Sequence, residues 1–281
     1  MVVVMLKGGL GNQMFQYAFG RFISERYATP LFLNTKIYDE GRSNRGFDLD
    51  VFRLSKCTAG HESFIQRPVI ETNILFINER YFHFDPSHVE YLDTIWDIKT
   101  KLIVLTGYWQ SYKYFAPIEN NIRFDFTLTA SPADRWLRLL HLIKDSESIM
   151  INVRRTDYLL KLEYHGVVST EYLTQAIAII KQKIRQPKYF IFSDDIPWCR
   201  KYLGHIKEAI FVDETYYDVK YQLYFQLMTN CKHFILSNSS FCWWAAWLGA
   251  TSNSIVIYPK KWFAVPHLDI KDLTPLSWTG L

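Results

Sequence analysis

A chain of 281 residues that is 49% apolar and 21% charged can build a sizeable core, which excludes a disordered chain and favours two domains over one. A formal charge of +4, scattered along the chain, is too small to argue for nucleic acid and suits an anionic ligand or a contact with a membrane surface. Aromatic residues make up 17%, enough for stacking on sugars, although most rings belong in a core. Cys57, Cys199, Cys231 and Cys242 have neither the C-x-x-C spacing nor the histidine partners of a zinc site, so free thiols in a reducing compartment are expected. The strand-like Val2–Leu6 starts at once, leaving no targeting peptide to expect, and no apolar run approaches a membrane span.

In chain order, Val2–Leu6 reads as a strand, Gly8–Asn12 as a tight loop, and Gln13–Tyr27 as an amphipathic helix. Pro30–Leu33 and Leu102–Leu105 read as further strands, while residues 38–90 show no clear period. Thr127–Asp134, with Pro132, is the best linker. It divides the chain into an amino-terminal α/β domain, residues 1–130, and a carboxyl-terminal one, residues 131–281. Beyond it strands fit Ser148–Val153, Tyr189–Phe192, Ala209–Val212, His233–Leu236 and Ser254–Ile257. Helices fit Ser169–Arg185, Ile196–Leu203, Asp218–Asn230 and Phe241–Leu248. Such alternation predicts a parallel sheet covered on both faces, with ligands at the carboxyl ends of its strands.

The most informative stretch is Arg154-Arg155-Thr156-Asp157, directly after an apolar strand. Two guanidinium groups at a strand end need partners, and their planar forks fit a phosphate. One carboxylate, Asp157, cannot satisfy both, although it can neutralise one. Gly9-Leu10-Gly11 follows a strand but lacks the third glycine of a dinucleotide fingerprint, since Met14 stands there. Asn34 replaces the acidic residue after the second strand, so an NAD-dependent oxidoreductase is disfavoured. Two readings of Gly11-Asn12-Gln13 stay open: amides facing an anion or sugar, or a tight turn with Asn12 as N-cap. Asp194 and Asp195 could hold a metal, accept from a nucleotide, or cap the helix that begins at Ile196-Pro197. Ser239 and Ser240 open a helix that is expected to close on Gly249 as C-cap; they form either a phosphate cradle or an ordinary cap. Asp48-Leu49-Asp50 has the spacing of a metal-binding D-x-D, but its alternation favours a half-buried strand.

Three stretches together resemble one family. Gly8-Gly9-Leu10-Gly11-Asn12-Gln13-Met14-Phe15-Gln16-Tyr17-Ala18 is similar to the amino-terminal signature of the α-1,2-fucosyltransferases, glycosyltransferase family 11. Arg154-Arg155-Thr156-Asp157-Tyr158 resembles the H-x-R-R-G-D-Y motif, and Ser237–Leu248 resembles the N-S-[ST]-[FY]-S-W-W-[AG]-A-[WY]-L block. Gly107–Ser111, Phe192–Asp195 and Pro259–Phe263 match in family order. Asn152 stands where the family has histidine, which lies near the nucleotide in related enzymes, and Thr156 where it has glycine.

The resemblance implies a GT-B-like α/β fold, two Rossmann-like domains facing across a cleft, with the donor held by the second. It implies inverting transfer of L-fucose from GDP-β-L-fucose to the 2-hydroxyl of a terminal β-galactoside, with no metal and no cofactor beyond the donor substrate. Arg154 and Arg155 are then expected to hold the diphosphate, with Asp157 orienting them or taking the acceptor proton. Ser239, Ser240 and the Phe241 amide complete the phosphate site; Asn152 and Asp194 are expected near the nucleotide. Gly9, Gly11, Asn12 and Gln13 would face the donor from the first domain, and Tyr108, Trp109 and Gln110 would line the acceptor side. A bacterial enzyme at the cytoplasmic face of the membrane, acting on a lipid-linked O-antigen repeat or a free glycan, is the expected setting. The alternatives are another linkage, another GDP-sugar, or a non-catalytic carbohydrate-binding protein.

Overall fold

The computed structural model describes residues 1–55, 57–61, 74–95, 102–129, 133–218, 220–266 and 268–281. They form two compact units, one of Met1–Thr127 with Asp269–Thr274, the other of Leu128–Leu268 with Pro275–Leu281.

The first unit begins with β1 (Val2–Met5) and α1 (Leu10–Arg26), followed by β2 (Leu31–Asn34), the short α2 (Lys36–Asp39) and β3 (Cys57–Gly60). Then come β4 (Ile74–Asn78), α3 (Ser87–Ile95), β5 (Leu102–Thr106) and α4 (Glu119–Asp125). All pairs are parallel and the strand order is β3-β2-β1-β5-β4. Consecutive strands step away from β1 on one side and return on the other. The order therefore reverses between β1 and β5, which opens a crevice at their carboxyl ends.

Helix α1 is not the amphipathic helix its sequence suggests. Most of its residues, from Leu10 to Ser24, are buried, as for a helix covered on every side. A Cβ on Gly20 would lie 2.3 Å from a Val4 methyl carbon, so the missing side chain lets the helix settle on β1. Its polar residues find buried partners: Tyr17 donates to Asp125 at 2.8 Å and Arg21 Nε donates to the same carboxylate at 3.2 Å, tying α1 to α4. Residues 269–274 return to this unit, where Ser111 Oγ donates to the Asp272 carbonyl at 2.6 Å and Lys113 pairs with the Asp272 carboxylate.

The second unit runs α5 (Asp134–Lys144), β6 (Glu147–Val153), α6 (Thr156–Leu159), α7 (Thr170–Lys183), β7 (Pro187–Ser193), α8 (Ile196–Leu203) and β8 (Ile210–Val212). It continues with α9 (Gln222–Thr229), β9 (His233–Ile235), α10 (Ser240–Gly249), β10 (Val256–Tyr258) and β11 (Thr279–Gly280). The sheet is again parallel, in the order β11-β10-β9-β6-β7-β8. Its order reverses between β6 and β9. Both faces are covered, and Ile149, Ile151 and Val153 pack with Leu173, Ala176, Ile177 and Ile180 of α7.

Every strand and helix expected in this half is present, with ends shifted by a few residues. Three details differ. Gly249 is the last residue of α10 and Ala250 its cap; a Cβ there would lie 2.1 Å from the Thr229 carbonyl oxygen, so close approach to α9 is what requires glycine. Asp48-Leu49-Asp50 enters a single 3-10 turn at Leu49–Val51, not a strand. Part of the expected linker, residues 130–132, lies outside the described residues. All four cysteines are free, and no described helix is long and apolar enough to cross a membrane.

Candidate active site

The residues singled out in the sequence collect at the two crevices where strand order reverses. In the second unit, β6 ends at Val153 and the chain turns through Arg154 and Arg155 into α6. Tyr158 of α6 donates its hydroxyl to the Asn238 carbonyl at 3.1 Å. That contact places the arginine turn beside the Ser237–Ser240 turn, which leaves β9 and opens α10.

The two arginines have three carboxylates, not one. Arg154 binds Asp157 bidentately, Nε at 2.8 Å and Nη2 at 2.7 Å, and its Nη1 lies 3.2 Å from Asp194. Its whole fork is engaged. Asp194 also accepts from the backbone N–H groups of Arg155 at 2.9 Å and Thr156 at 3.1 Å, and from the Thr156 hydroxyl. Asp194 therefore braces the turn from the end of β7. Asp195 accepts from the Trp198 amide at 3.0 Å as N-cap of α8, and Arg155 Nε donates to it at 3.2 Å.

Arg155 is held differently. Its guanidinium carbon lies 4.2 Å from the Trp198 ring centroid, while its two terminal nitrogens have no partner among the described residues. The five side chains sum to one negative charge, two cations against three anions. Net field therefore does not attract an anion here. The directed donors of the cluster are the open end of the Arg155 fork and the first turn of α10.

At α10, Ser239 is the N-cap residue but makes no side-chain cap bond. Ser239 is nearly buried, and Ser240 and Phe241 are partly exposed in the first turn. Beneath them Trp243, Trp244 and Trp247 are buried. Trp243 stands edge-on to Trp244 at 5.0 Å and stacks on Trp247 at 6.3 Å. These rings are core and give the helix a rigid seat.

Asn152 lies one layer below the arginines. Its oxygen accepts from Ser237 Oγ at 2.5 Å and its amide donates to the Phe192 carbonyl at 3.3 Å. Tyr158 stacks on His165 with centroids 4.2 Å apart. Burial holds the His165 imidazole below its ordinary range.

The first unit has its own cluster, between β1 and β5. Gly8 has φ +78°, and a Cβ there would meet the Asn12 amide nitrogen at 2.5 Å. Gly9 is the N-cap of α1, so Asn12 is inside the helix and is not the cap. Asn12 Oδ1 accepts from Gln110 Nε2 at 2.7 Å, a bridge across the reversal of strand order. Gly11 is buried in the first turn of α1, while Gly9 stays partly exposed.

Two of the expected ligand contacts become supports. Gln13 is fully buried. Its amide donates to the Gly8 and Gly46 carbonyls at 3.0 and 2.8 Å and its oxygen accepts from the Asp48 N–H at 2.9 Å. Trp109 is also fully buried. A left-handed backbone, φ +57°, turns its ring into the core against Phe19 at 4.5 Å and His88 at 5.1 Å. It cannot line an acceptor surface. Tyr108 remains partly exposed, with the Lys7 ammonium 4.1 Å from its ring centroid, and Gln110 is nearly buried.

Sequence reasoning missed Glu79. This carboxylate accepts from the backbone N–H groups of Tyr108 at 2.7 Å and Trp109 at 2.8 Å. Burial pushes its pKa up, with those N–H groups opposing. A Cβ on Gly107 would lie 2.4 Å from the Glu79 Cβ, so Gly107 and Glu79 together set the Gly107–Gln110 turn. No periodicity surrounds Glu79 to mark it.

Two parallel α/β units with polar clusters at their switch points have the fold of the GT-B-like class. The glycosyl transferase family 11 model matches residues 1–281, and the chain belongs to that family. An alpha-1,2-colitosyltransferase of Escherichia coli is 31% identical over 100% of this chain and 98% of its own. Galactoside alpha-(1,2)-fucosyltransferase 1 of Bos taurus is 26% identical over 86% of this chain and 64% of its own. Among solved structures, POFUT1 in complex with GDP-fucose superposes with a TM-score of 0.56, covering 91% of this chain and 97% of that one at 11% identity, a likeness of fold alone.

Proposed function

We propose that the protein transfers L-fucose from GDP-β-L-fucose to the 2-hydroxyl of a terminal β-galactoside, with inversion. The observation that carries this is the open Arg155 fork at the β6–β9 switch point, in a chain that matches family 11 from end to end. As the fucosyl–oxygen bond breaks, charge gathers on the departing GDP. A fixed guanidinium and the α10 N–H groups then stabilise the transition state more than the ground state. Arg154, with its fork already engaged, positions the turn. Asp157 is bound bidentately to Arg154, which suits an orienting role better than that of a base.

Transfer is proposed to need no divalent ion, Arg155 taking the part a metal plays in D-x-D enzymes. Among the described residues no group of three or more His, Cys, Asp or Glu is arranged to hold one. Gly9 and Asn12 in the first unit are proposed to approach the donor, and Tyr108 and Gln110 the galactoside. The acceptor is proposed to be a lipid-linked or free bacterial glycan, met at the cytoplasmic side of the membrane.

A second donor has specific support, since one relative that matches almost the whole length is named for colitose. Colitose is fucose without its 3-hydroxyl, so the two GDP-sugars present the same diphosphate. Parallel assays with GDP-fucose, GDP-colitose and GDP-mannose against a panel of galactosides, read by mass spectrometry, decide between them. Transfer of fucose in 1,2-linkage is expected. Exclusive use of GDP-colitose replaces the donor, and no product with any of them refutes the reading. EDTA is expected to leave the rate unchanged, and a loss restored by Mn²⁺ refutes metal-free transfer.

A further inference from the structure

Leu159, Leu160, Leu162 and Tyr164 are all exposed, Leu160 to 83%. Apolar residues scattered singly over a surface need no explanation. These four fall within six consecutive positions of the second unit, and they include three of the four exposed leucines among the described residues. Such a cluster marks a surface that meets another apolar phase.

A folded turn presents the leucines. The Leu159 N–H donates to the Arg155 carbonyl at 2.8 Å, that of Lys161 to Tyr158 at 3.0 Å, that of Tyr164 to Lys161 at 3.1 Å and that of Gly166 to Leu162 at 3.0 Å. Donors that an apolar medium would leave stranded are thus satisfied inside the turn. Its base is pinned to the candidate site. Asn238 Nδ2 donates to the His165 carbonyl at 2.8 Å and to the Trp262 carbonyl at 2.9 Å, and the Ala264 N–H donates to the Tyr164 carbonyl at 2.9 Å. Residues 260–264 therefore run beside the turn, and the partly exposed Phe263 ring meets Tyr164 edge-on with centroids 5.6 Å apart.

Charge decides the occupant. Lys161 stands between two of the leucines, and Lys260 and Lys261 stand on the neighbouring segment, all three exposed. Against these three ammonium groups stands one exposed carboxylate, Glu163, since Asp157 is taken by Arg154. Lysines in water need no partner and alone would signal nothing. Beside exposed leucines they make the pairing that suits a lipid interface, with apolar side chains in the acyl boundary and ammonium groups among anionic headgroups. The long stem of Lys161 lets its charge stay at headgroup level while its neighbours descend. A protein partner would have to bury that ammonium in the middle of the patch, where interfaces are depleted of lysine. We propose that the Leu159–Tyr164 turn is a membrane-contact surface that inserts its leucines into a bilayer containing anionic lipid. The proposal rests on the reading of the acceptor as lipid-linked. The turn starts at the Arg155 carbonyl, so a bilayer seated on it brings a lipid-linked glycan close to the arginine turn.

Flotation of the full-length protein with vesicles of phosphatidylglycerol in phosphatidylcholine tests this, against vesicles of phosphatidylcholine alone and beside transfer to a soluble galactoside. Wild type is expected to float with the anionic vesicles and not with the neutral ones. Leu159→Ser/Leu160→Ser/Leu162→Ser is expected to bind the anionic vesicles at least tenfold more weakly. Lys161→Gln/Lys260→Gln/Lys261→Gln is expected to bind them severalfold more weakly and with less dependence on salt. Both variants are expected to use the soluble galactoside at the wild-type rate. Leu160→Asp, at the most exposed position, serves if the triple leucine variant does not fold. Wild type that stays off the anionic vesicles, or that floats equally well after the leucines are replaced, overturns the inference. So does a dimer in sedimentation velocity that the leucine variant dissolves, which assigns the patch to a second copy of the chain. Flotation that depends on the leucines, without transfer to any galactoside, refutes the transferase reading and leaves the membrane surface standing.

Discussion

Replacing each arginine by alanine separates the two roles assigned to them. Arg155 keeps two terminal nitrogens without partners, so Arg155→Ala removes about two charge-assisted hydrogen bonds to the leaving group. At roughly 1.5–3 kcal/mol each, the loss is roughly 3–6 kcal/mol, or about 10²- to 10⁴-fold in kcat/KM. The fold loses the single contact to Asp195 and the stacking on Trp198, less than Arg154→Ala removes, because Asp195 still accepts from the Trp198 amide and Asp194 still pairs with Arg154. Arg154→Ala is different. It strips the bidentate partner from Asp157 and a contact from Asp194. A fully buried pair broken this way costs about 3–5 kcal/mol. Asp157 is 37% exposed, so screening lowers the expected loss to about 2 kcal/mol. The assay is steady-state transfer with a saturating galactoside, beside thermal and urea unfolding of each variant. Activity of Arg155→Ala within tenfold of wild type, or equal loss of stability in both variants, refutes the division of labour. Arg155→Lys is expected to recover only part of the rate, since one ammonium cannot reproduce the fork.

Gly8→Ala is expected to cost about 1–2 kcal/mol, from the left-handed backbone and the clash with Asn12; it should also raise the donor KM, read in the same assay, as the Asn12–Gln110 bridge shifts. Glu79→Gln turns an amide N–H₂ toward one of two backbone N–H donors, and urea unfolding should show a loss of about 1–3 kcal/mol. Burial raises the folded pKa of Glu79 above 4.5, so its contribution is fullest below that value and declines as pH rises through the window above it. The stability gap between wild type and Glu79→Gln should therefore narrow from pH 4.5 upward. His233 is held below its ordinary 6.5 chiefly by burial, and its Nδ1 accepts from the Ile255 N–H at 3.0 Å. Its contribution is present above pH 6.5 and lost as pH falls toward the folded value; protection of the Ile255 amide from hydrogen exchange, relative to its intrinsic rate at each pH, should fall over that interval.

The second unit was legible because its strands are apolar runs and its helices follow between turn signals. Pro197 and Asp195 even mark the start of α8 to the residue. The first unit was not. Its β3 is a four-residue Cys-Thr-Ala-Gly strand at the sheet edge, too short and too polar to show a period. α1 reads as amphipathic because its buried polar groups, Gln13, Gln16 and Arg21, mimic an exposed face. At the candidate site, residue types marked the strand ends where the polar side chains gather, but contacts between distant segments could not be read. Asp194 lies 39 residues from the Arg155 amide it accepts, and nothing local distinguishes a bracing carboxylate from a ligand-binding one. Trp109 misled for a related reason: only its positive φ, set by the Gly107–Glu79 contact, sends the ring inward.

The two departures from the family motif are absorbed by the same bracing. Thr156 stands where glycine is usual, yet it opens α6 in a helical conformation that needs no left-handed freedom. Its hydroxyl adds a bond to Asp194 that glycine could not make. Asn152 stands where histidine is usual, and its side chain joins Phe192 of β7 to Ser237 after β9, linking the three central strand ends beneath the arginine turn. A neutral amide that both donates and accepts does this without a titrating proton. Among the described residues, the cluster above then holds no histidine within hydrogen-bond or ion-pair distance of either arginine. Above pH 6.5 the His165 imidazole stacked on Tyr158 is already neutral, so the geometry of the cluster should stay constant between pH 7 and 8, and the binding of GDP, followed by calorimetry, should show no ionisation in that range beyond that of the nucleotide itself. Asn152→His tests the point. An imidazole there is larger and must charge or stay neutral among buried partners, so it should make GDP affinity fall on one side of pH 6.5; a flat profile in the variant would show that position 152 does not couple to the phosphate site.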